Sequence, residues 1–141
     1  MTALSALAAE LLHRLEATVQ RRLEAEGHDP PSAGSARALR ALADGVERPR
    51  ALATWMNVTP QAAGQAVDRL ERRGWVHRRT SAGDRRAVTL ALTPAGERML
   101  AAVERCEREA ELELARAVGA GRHLAARTAL RDLLRSTDAP S

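Results

Sequence analysis

Residues Thr59–Glu97 read TPQAAGQAVDRLERRGWVHRRTSAGDRRAVTLALTPAGE. A hydroxyl N-cap followed by proline at the first helical position, Thr59-Pro60, predicts a helix start. That helix should run to about Arg73, with Gly74 closing it. Two short strands follow, Val76–Arg79 and Ala87–Leu92. In the second, Val88, Leu90 and Leu92 alternate with Ala87, Thr89 and Ala91, which is the period of a strand. Ser81, Gly83 and Asp84 between them are turn formers. Thr93-Pro94 then repeats the cap-and-proline signal and opens another helix. The order is helix, strand, basic loop, strand, helix.

The helix has two unlike faces. At 100° per residue Ala63, Ala66, Val67 and Leu70 fall within about 60° of one another and should pack inward. Gln61, Gln65, Asp68 and Arg72 lie opposite, with Arg69 at the edge. Amides and guanidinium groups read base edges in a major groove, glutamine pairing with adenine and arginine with guanine. Polar residues are also ordinary on any exposed helix face, so this face alone does not decide the function.

Charge adds weight. The chain carries 22 basic residues against 18 acidic ones, and every basic residue is arginine. Codon bias in a GC-rich genome explains the missing lysine as simply as function does; the positions are more informative. Seven arginines lie between residues 69 and 86 (Arg69, Arg72, Arg73, Arg78, Arg79, Arg85 and Arg86) against Glu71 and Asp84, a local net of +5. Residues 97–113 hold six glutamates against Arg98, Arg105 and Arg108, a net of −3. A polyanion is drawn to the first segment. Arginines on a protruding hairpin suit the narrow minor groove, whose negative potential attracts them. Asp84 repels phosphate, so its expected work is to orient an arginine, Arg86 first. The pattern is that of a winged helix-turn-helix.

Outward from this stretch the chain is helical. Leu4, Leu7, Leu11, Leu15, Val19 and Leu23 form one stripe of an amphipathic helix over about Ala3–Glu26. The segment His28–Ser35 is a loop by its Pro, Gly and Ser content. Ser35 should cap a second helix, reaching Gly45, with Ala36, Leu39, Leu42 and Ala43 inward. Pro49 opens a third, with Leu52, Trp55 and Met56 as its apolar positions, and Asn57 suits its left-handed end. After Thr93 a long helix carries Met99, Val103, Cys106, Ala110 and Leu114. Gly119 and Gly121 break it, and a sixth helix, about Arg122–Arg135, carries Leu124, Leu130, Leu133 and Leu134. The expected fold class is mainly α with a small β-hairpin, in one domain over residues 1–141. Residues 35–93 would form the winged-helix lobe, and residues 3–26 with 94–136 the dimerisation helices.

The stretch VTPQAAGQAVDRLERRGWVHRR, followed by GDRRAVTLALTPAGERML, resembles the MarR family of bacterial transcriptional regulators. The match rests on DRLE-x-x-G at the helix end, the Asp-x-Arg motif of the wing (Asp84 to Arg86) and L-T-P-A-G (Leu92 to Gly96). It is strong over about Leu52–Leu100. The resemblance implies a homodimer whose first, fifth and sixth helices interleave, and two winged helices on a pseudo-palindromic operator. It implies Arg86 in the minor groove, and a small anionic or aromatic effector that weakens DNA binding; members are more often repressors. The DNA contacts expected on this basis are Thr59, Gln61, Gly64, Gln65, Arg69, Arg72, Arg73, Arg78, Arg79, Arg85 and Arg86. Many members carry Ser-Arg where this chain has Gly64-Gln65. Loss of that arginine favours either a changed operator preference or an interaction module with weak DNA binding.

Other chemistry finds little footing. No run of about 18 apolar residues offers a transmembrane helix. The N-terminus lacks a basic leader and is interrupted by Glu10, His13 and Arg14. With one cysteine, Cys106, a cytoplasmic and reducing location beside the bacterial nucleoid is expected. Cys106 lies on an apolar stripe, where cysteine acts as a small hydrophobe. His13, His28, His77 and His123 show no metal-ligand spacing. No phosphate loop, nucleophile elbow or perturbed carboxylate pair appears, so neither enzyme activity nor a cofactor is expected. The glutamates of residues 97–113 are expected to form a solvated face with pairs such as Glu104–Arg108. A ligand pocket should lie where the dimer base meets the winged helix, within reach of His13, Arg14, Arg37 and Trp55.

Overall fold

The computed structural model describes residues 1–81 and 83–138; the side chains of Ser81, Asp84, Arg85 and Arg86 lie outside that description. Six helices and one hairpin follow in the order α1 (Leu4–Ala25), α2 (Ala33–Ala43), α3 (Pro49–Met56), α4 (Pro60–Arg72), β1 (Val76–Ser81), β2 (Asp84–Leu92), α5 (Pro94–Val118) and α6 (Ala120–Thr137). The strands pair antiparallel from Val76 opposite Leu92 to Thr80 opposite Val88, and an irregularity then sets Ser81 opposite Asp84. The strands are longer than the apolar alternation suggested, because ladder hydrogen bonds continue through the polar residues toward the tip.

Local chemistry fixes the helix ends. Thr59 and Thr93 each accept a backbone N–H three residues on, from Ala62 and Gly96, and each precedes a proline. Asn57 adopts the left-handed conformation (φ 55°) and ends α3. Two expected boundaries move. Ser32, not Ser35, caps α2, and the Ser35 backbone N–H donates to the Ser32 hydroxyl at 3.1 Å. Gly119 alone separates α5 from α6, while Gly121 lies inside α6. Ser35 is instead a buried residue of α2, which turns Ala38, Leu39, Ala41 and Leu42 inward. Ala36 is only partly buried and Ala43 is exposed.

The core lies where α2, α3, α4 and the hairpin base meet the lower half of α1 and the first turns of α5. Leu23, Leu39, Leu52, Val67, Leu70, Val76 and Cys106 are its largest fully buried side chains. The inward face read for α4, Ala63, Ala66, Val67 and Leu70, is the buried one. The stripes of α1 and α6 fare differently. In α1 only Val19 and Leu23 are buried; Leu4, Leu7 and Leu11 are exposed. No residue of α6 is buried, and Leu124, Leu130, Leu133 and Leu134 face outward. A hydrophobic stripe needs a surface to meet, and within one chain these two have none.

Candidate nucleic-acid interface

The site is built on α4 and the hairpin behind it. Gln61, Gln65, Arg69 and Arg72 are exposed on the α4 face away from the core, as are Arg78 and Arg79 on β1. The base of the hairpin is held at three points. The Leu90 backbone N–H donates to the Glu47 carbonyl at 2.7 Å, tying β2 to the turn before α3. The Thr93 N–H donates to the Trp75 carbonyl at 2.9 Å, and the Thr93 hydroxyl donates to the Gly74 carbonyl at 2.5 Å. Gly96 completes this corner. A Cβ there would lie 2.1 Å from the Trp75 carbonyl oxygen, so only glycine lets the first turn of α5 rest on that backbone. The Thr-Pro-Ala-Gly segment is therefore a packing corner that sets where the wing begins.

The arginines of this stretch divide by partner. The Arg78 guanidinium reaches back to α4, donating to Asp68 at 2.6 Å and to Glu71 at 2.9 Å. The Asp68 hydrogen bond and both carboxylate charges raise the Arg78 pKa further. Arg73 leaves the α4 face altogether. It donates to the carbonyls of Asp29 and Pro30, pairs with the Asp29 carboxylate at 3.3 Å, and stacks 4.0 Å from the Trp75 ring centre. Arg79 donates to His77 at 3.1 Å and keeps the rest of its fork outward. Arg69 and Arg72 have no carboxylate partner among the described residues. The expected roles of Asp84, Arg85 and Arg86 fall on side chains outside the description. The sequence reading missed the Asp68–Arg78–Glu71 cluster, although two carboxylates three residues apart on α4 were its visible signal.

Gly64 stands on the same face as Gln61 and Gln65. An added Cβ would meet nothing within 4 Å. No packing demand inside the chain explains the glycine.

The acidic stretch of α5 is not simply solvated. Arg40 of α2 pairs with Glu107 at 2.8 Å and with Glu104 at 4.0 Å, so Glu104 turns to Arg40 rather than to Arg108. Arg22 of α1 bonds Glu109 at 3.1 Å and also Glu113. Arg105 grips Glu26 through both its terminal nitrogens, at 2.7 and 2.5 Å. Those hydrogen bonds hold the Glu26 carboxyl below its ordinary pKa, and Arg22 does the same for Glu113. Glu26, Cys106 and Glu109 come close enough together to hold a metal ion, but both carboxylates are already bonded to arginine. Burial pushes the Cys106 thiol up, away from a reactive thiolate.

A cavity of about 780 Å³ opens between α1, α2, the end of α3, α5 and α6. Leu15, Val19, Trp55 and Val103 give it apolar walls. Among its charged lining residues Arg40 is paired with Glu107, and His123 and Arg127 share Glu111. Arg37 donates only to the Met56 carbonyl, at 3.2 Å, and has no carboxylate partner among the described residues. Arg37 and Trp55 thus line the cavity as expected from their positions. His13 and Arg14 do not; both are exposed, and Arg14 pairs with Glu10 on the same helix.

Residues 28–87 match the sequence model of the MarR family. Most of the winged-helix lobe is thus similar to the MarR family. The whole chain has that family's fold, six helices with a two-stranded wing. It is similar to the reduced form of MarR from E. coli, at 20% identity and a TM-score of 0.81 over 95% of this chain and 98% of that one. It is also similar to the transcriptional regulator Tm0710 from Thermotoga maritima, at 18% identity and a TM-score of 0.68 over 97% of each chain. A third likeness is to a mutant of S. aureus MepR bound to an oligodeoxyribonucleotide, at 18% identity and a TM-score of 0.63 over 98% of this chain and 100% of that one. No curated protein matches the chain in sequence. MarR-family proteins are transcription regulators rather than enzymes. No described helix is long and apolar enough to cross a membrane.

Proposed function

We propose that this MarR-like chain represses transcription by binding a pseudo-palindromic operator as a homodimer, and that a small effector releases it. The observation that carries the reading is the exposed face of α4, Gln61, Gln65, Arg69 and Arg72, standing beside an arginine-bearing wing. Thr59, at the N-cap of α4, and Gly64, within the helix, are further candidate contacts on that face. Arg79, Arg85 and Arg86 are the wing's candidates for phosphate and minor-groove contact. The DNA-bound MepR mutant of the same fold supports this use of the surface.

The dimer follows from unburied apolar surface. Leu4, Leu7, Leu11 and Leu12 of α1 and Leu124, Leu130, Leu133 and Leu134 of α6 are each at least 42% exposed. Leu11, Leu12 and Leu130 line one cavity, so the two helices form a continuous apolar surface. A second copy of α1, α5 and α6 would bury it. Leu134→Asp should then give a monomer in sedimentation, with operator affinity lost along with it; a dimer that persists removes α6 from the interface.

The effector reading rests on the cavity. Its apolar walls and Arg37, the one lining cation without a carboxylate partner among the described residues, suit an apolar molecule with one negative charge. Arg37 also holds the last carbonyl of α3, which precedes α4 by a short turn, so an occupant that recruits Arg37 would loosen the helix that seats α4.

Selection from random duplex DNA tests the function directly. Recovery of an inverted repeat with half-site centres about 34 Å apart supports the regulator. Absence of any enriched motif, even with a dimer in hand, supports a dimeric interaction module instead, the reading that Gly64-Gln65 favours.

A further inference from the structure

We propose that Arg78 is a positioning residue that clamps the wing to the reading helix and makes no phosphate contact itself; this rests on the DNA-binding reading above. Sequence position argues the opposite, because Arg78 sits inside the most basic segment of the chain. The geometry separates it from its neighbours. Its guanidinium spans Asp68 and Glu71, one turn apart on α4, with one terminal nitrogen on each carboxylate. One positive charge facing two negative ones leaves that cluster net negative, which repels phosphate. Arg79, the next residue, faces the other side of the hairpin and has no carboxylate partner among the described residues.

The clamp has a mechanical reason. Among the described residues, backbone bonds fix the hairpin at its base, through Thr93 to Trp75, and at the level of Arg78, through Leu90 to Glu47. Beyond Arg78, β1 continues to Ser81, about 10 Å at the rise of a strand, with Val88 opposite Thr80 resting on the core. Among the described residues, Arg78 is the only side chain that bonds the hairpin to α4. Its fork therefore sets the angle between the element that reads the major groove and the one that reaches the minor groove. Lysine, a single point donor, cannot bridge both carboxylates with a fixed plane.

The test uses the full-length protein and the sequence enriched from random DNA. Binding is measured across a salt series for wild type, Arg78→Ala, Arg78→Lys, Arg86→Ala, the double variant Asp68→Ala/Glu71→Ala and the triple variant that adds Arg78→Ala, with backbone ¹⁵N relaxation of the free protein alongside. Arg78→Ala should weaken binding about tenfold with no change in the salt slope, whereas loss of a phosphate contact flattens the slope by about one unit. Adding Arg78→Ala to the double variant should cost nothing more, since both remove one unit of structure. Order parameters should fall at Thr80 and Gly83 in Arg78→Ala and Arg78→Lys, while those of α4 and α5 hold, which a general loss of folding would not produce. A slope reduced by one unit, additive losses, or an unchanged wing would each overturn the clamp. If wild type enriches no sequence, the DNA reading fails, and the relaxation data still decide whether Arg78 holds the wing.

Discussion

Gly64→Ala is the most informative single substitution. Gly64 is inside α4, away from both caps, and its φ is negative like that of its neighbours. Glycine in such a position costs about 1 kcal/mol relative to alanine, because the unfolded chain has more freedom to lose. Nothing offsets that gain here, since an added Cβ meets no atom within 4 Å. Unfolding of a 141-residue chain carries an entropy of about 0.3 kcal/mol per kelvin at the per-residue average. The variant should therefore melt about 3 °C higher by scanning calorimetry without DNA. An unchanged or lower Tm would refute the account of α4 as a regular, unobstructed helix. Binding to the enriched sequence then decides why the glycine is there. If affinity falls while Tm rises, the DNA approaches α4 too closely for a methyl group. If affinity holds, the glycine is tolerated drift and the departure from Ser-Arg carries no operator information.

Gly96→Ala should behave oppositely. Its Cβ would overlap the Trp75 carbonyl, which is backbone and cannot move aside, so a loss of about 3 kcal/mol and a fall of about 10 °C in Tm are expected. Glu26→Gln should change how stability depends on acid. Arg105 holds the Glu26 carboxyl below its ordinary value of 4.5, so that carboxylate contributes stability above this value and loses it as pH falls through the folded-state pKa. Urea unfolding should separate variant and wild type at about pH 7 and bring them together as pH falls below the folded-state pKa of Glu26. A gap that persists in acid would mean the Arg105 bond is not what stabilises this corner.

How legible the molecule was depends on the range of each interaction. The inward face of α4 and the caps Thr59 and Thr93 are set within one or two turns, and periodicity and residue type sufficed to find them. The α2 cap was misread because Ser32 and Ser35 are chemically equal candidates. Burial chose between them, and burial of Ser35 is decided by the packing of α2, not by its neighbours in sequence. Trp55 shows the same limit from the other side. The sequence marks it both as an apolar position of α3 and as a pocket residue, and it is 40% exposed and forms a cavity wall, because Leu52, Ala53 and Met56 already fill the α3 interface. The partners of Arg73, Arg78, Arg22 and Arg40 all lie on other elements. Apart from the two carboxylates one turn apart on α4 that Arg78 bonds, no pattern within a helix or strand could name them.

The charge segregation read from the sequence survives folding, but it shrinks. The window 69–86 carries +5. Two of its arginines, Arg73 and Arg78, bond to Asp29 and Asp68, which lie outside the window, so the folded patch is nearer +3. The window 97–113 carries −3. Arg22 and Arg40 reach it from α1 and α2, so that surface is nearer −1. The contrast of eight charges along the chain becomes one of four in space. This is the expected direction, because ion pairs form between segments of opposite sign, and they form first where a linear count makes the imbalance largest. What remains has a definite location. Arg69 and Arg72 on α4 and Arg79 on β1 keep their outward charge, while the compensated arginines serve as struts around them. On the proposed reading, a polyanion approaching this chain meets the face of α4 that carries the glutamines, and the struts hold that face in place.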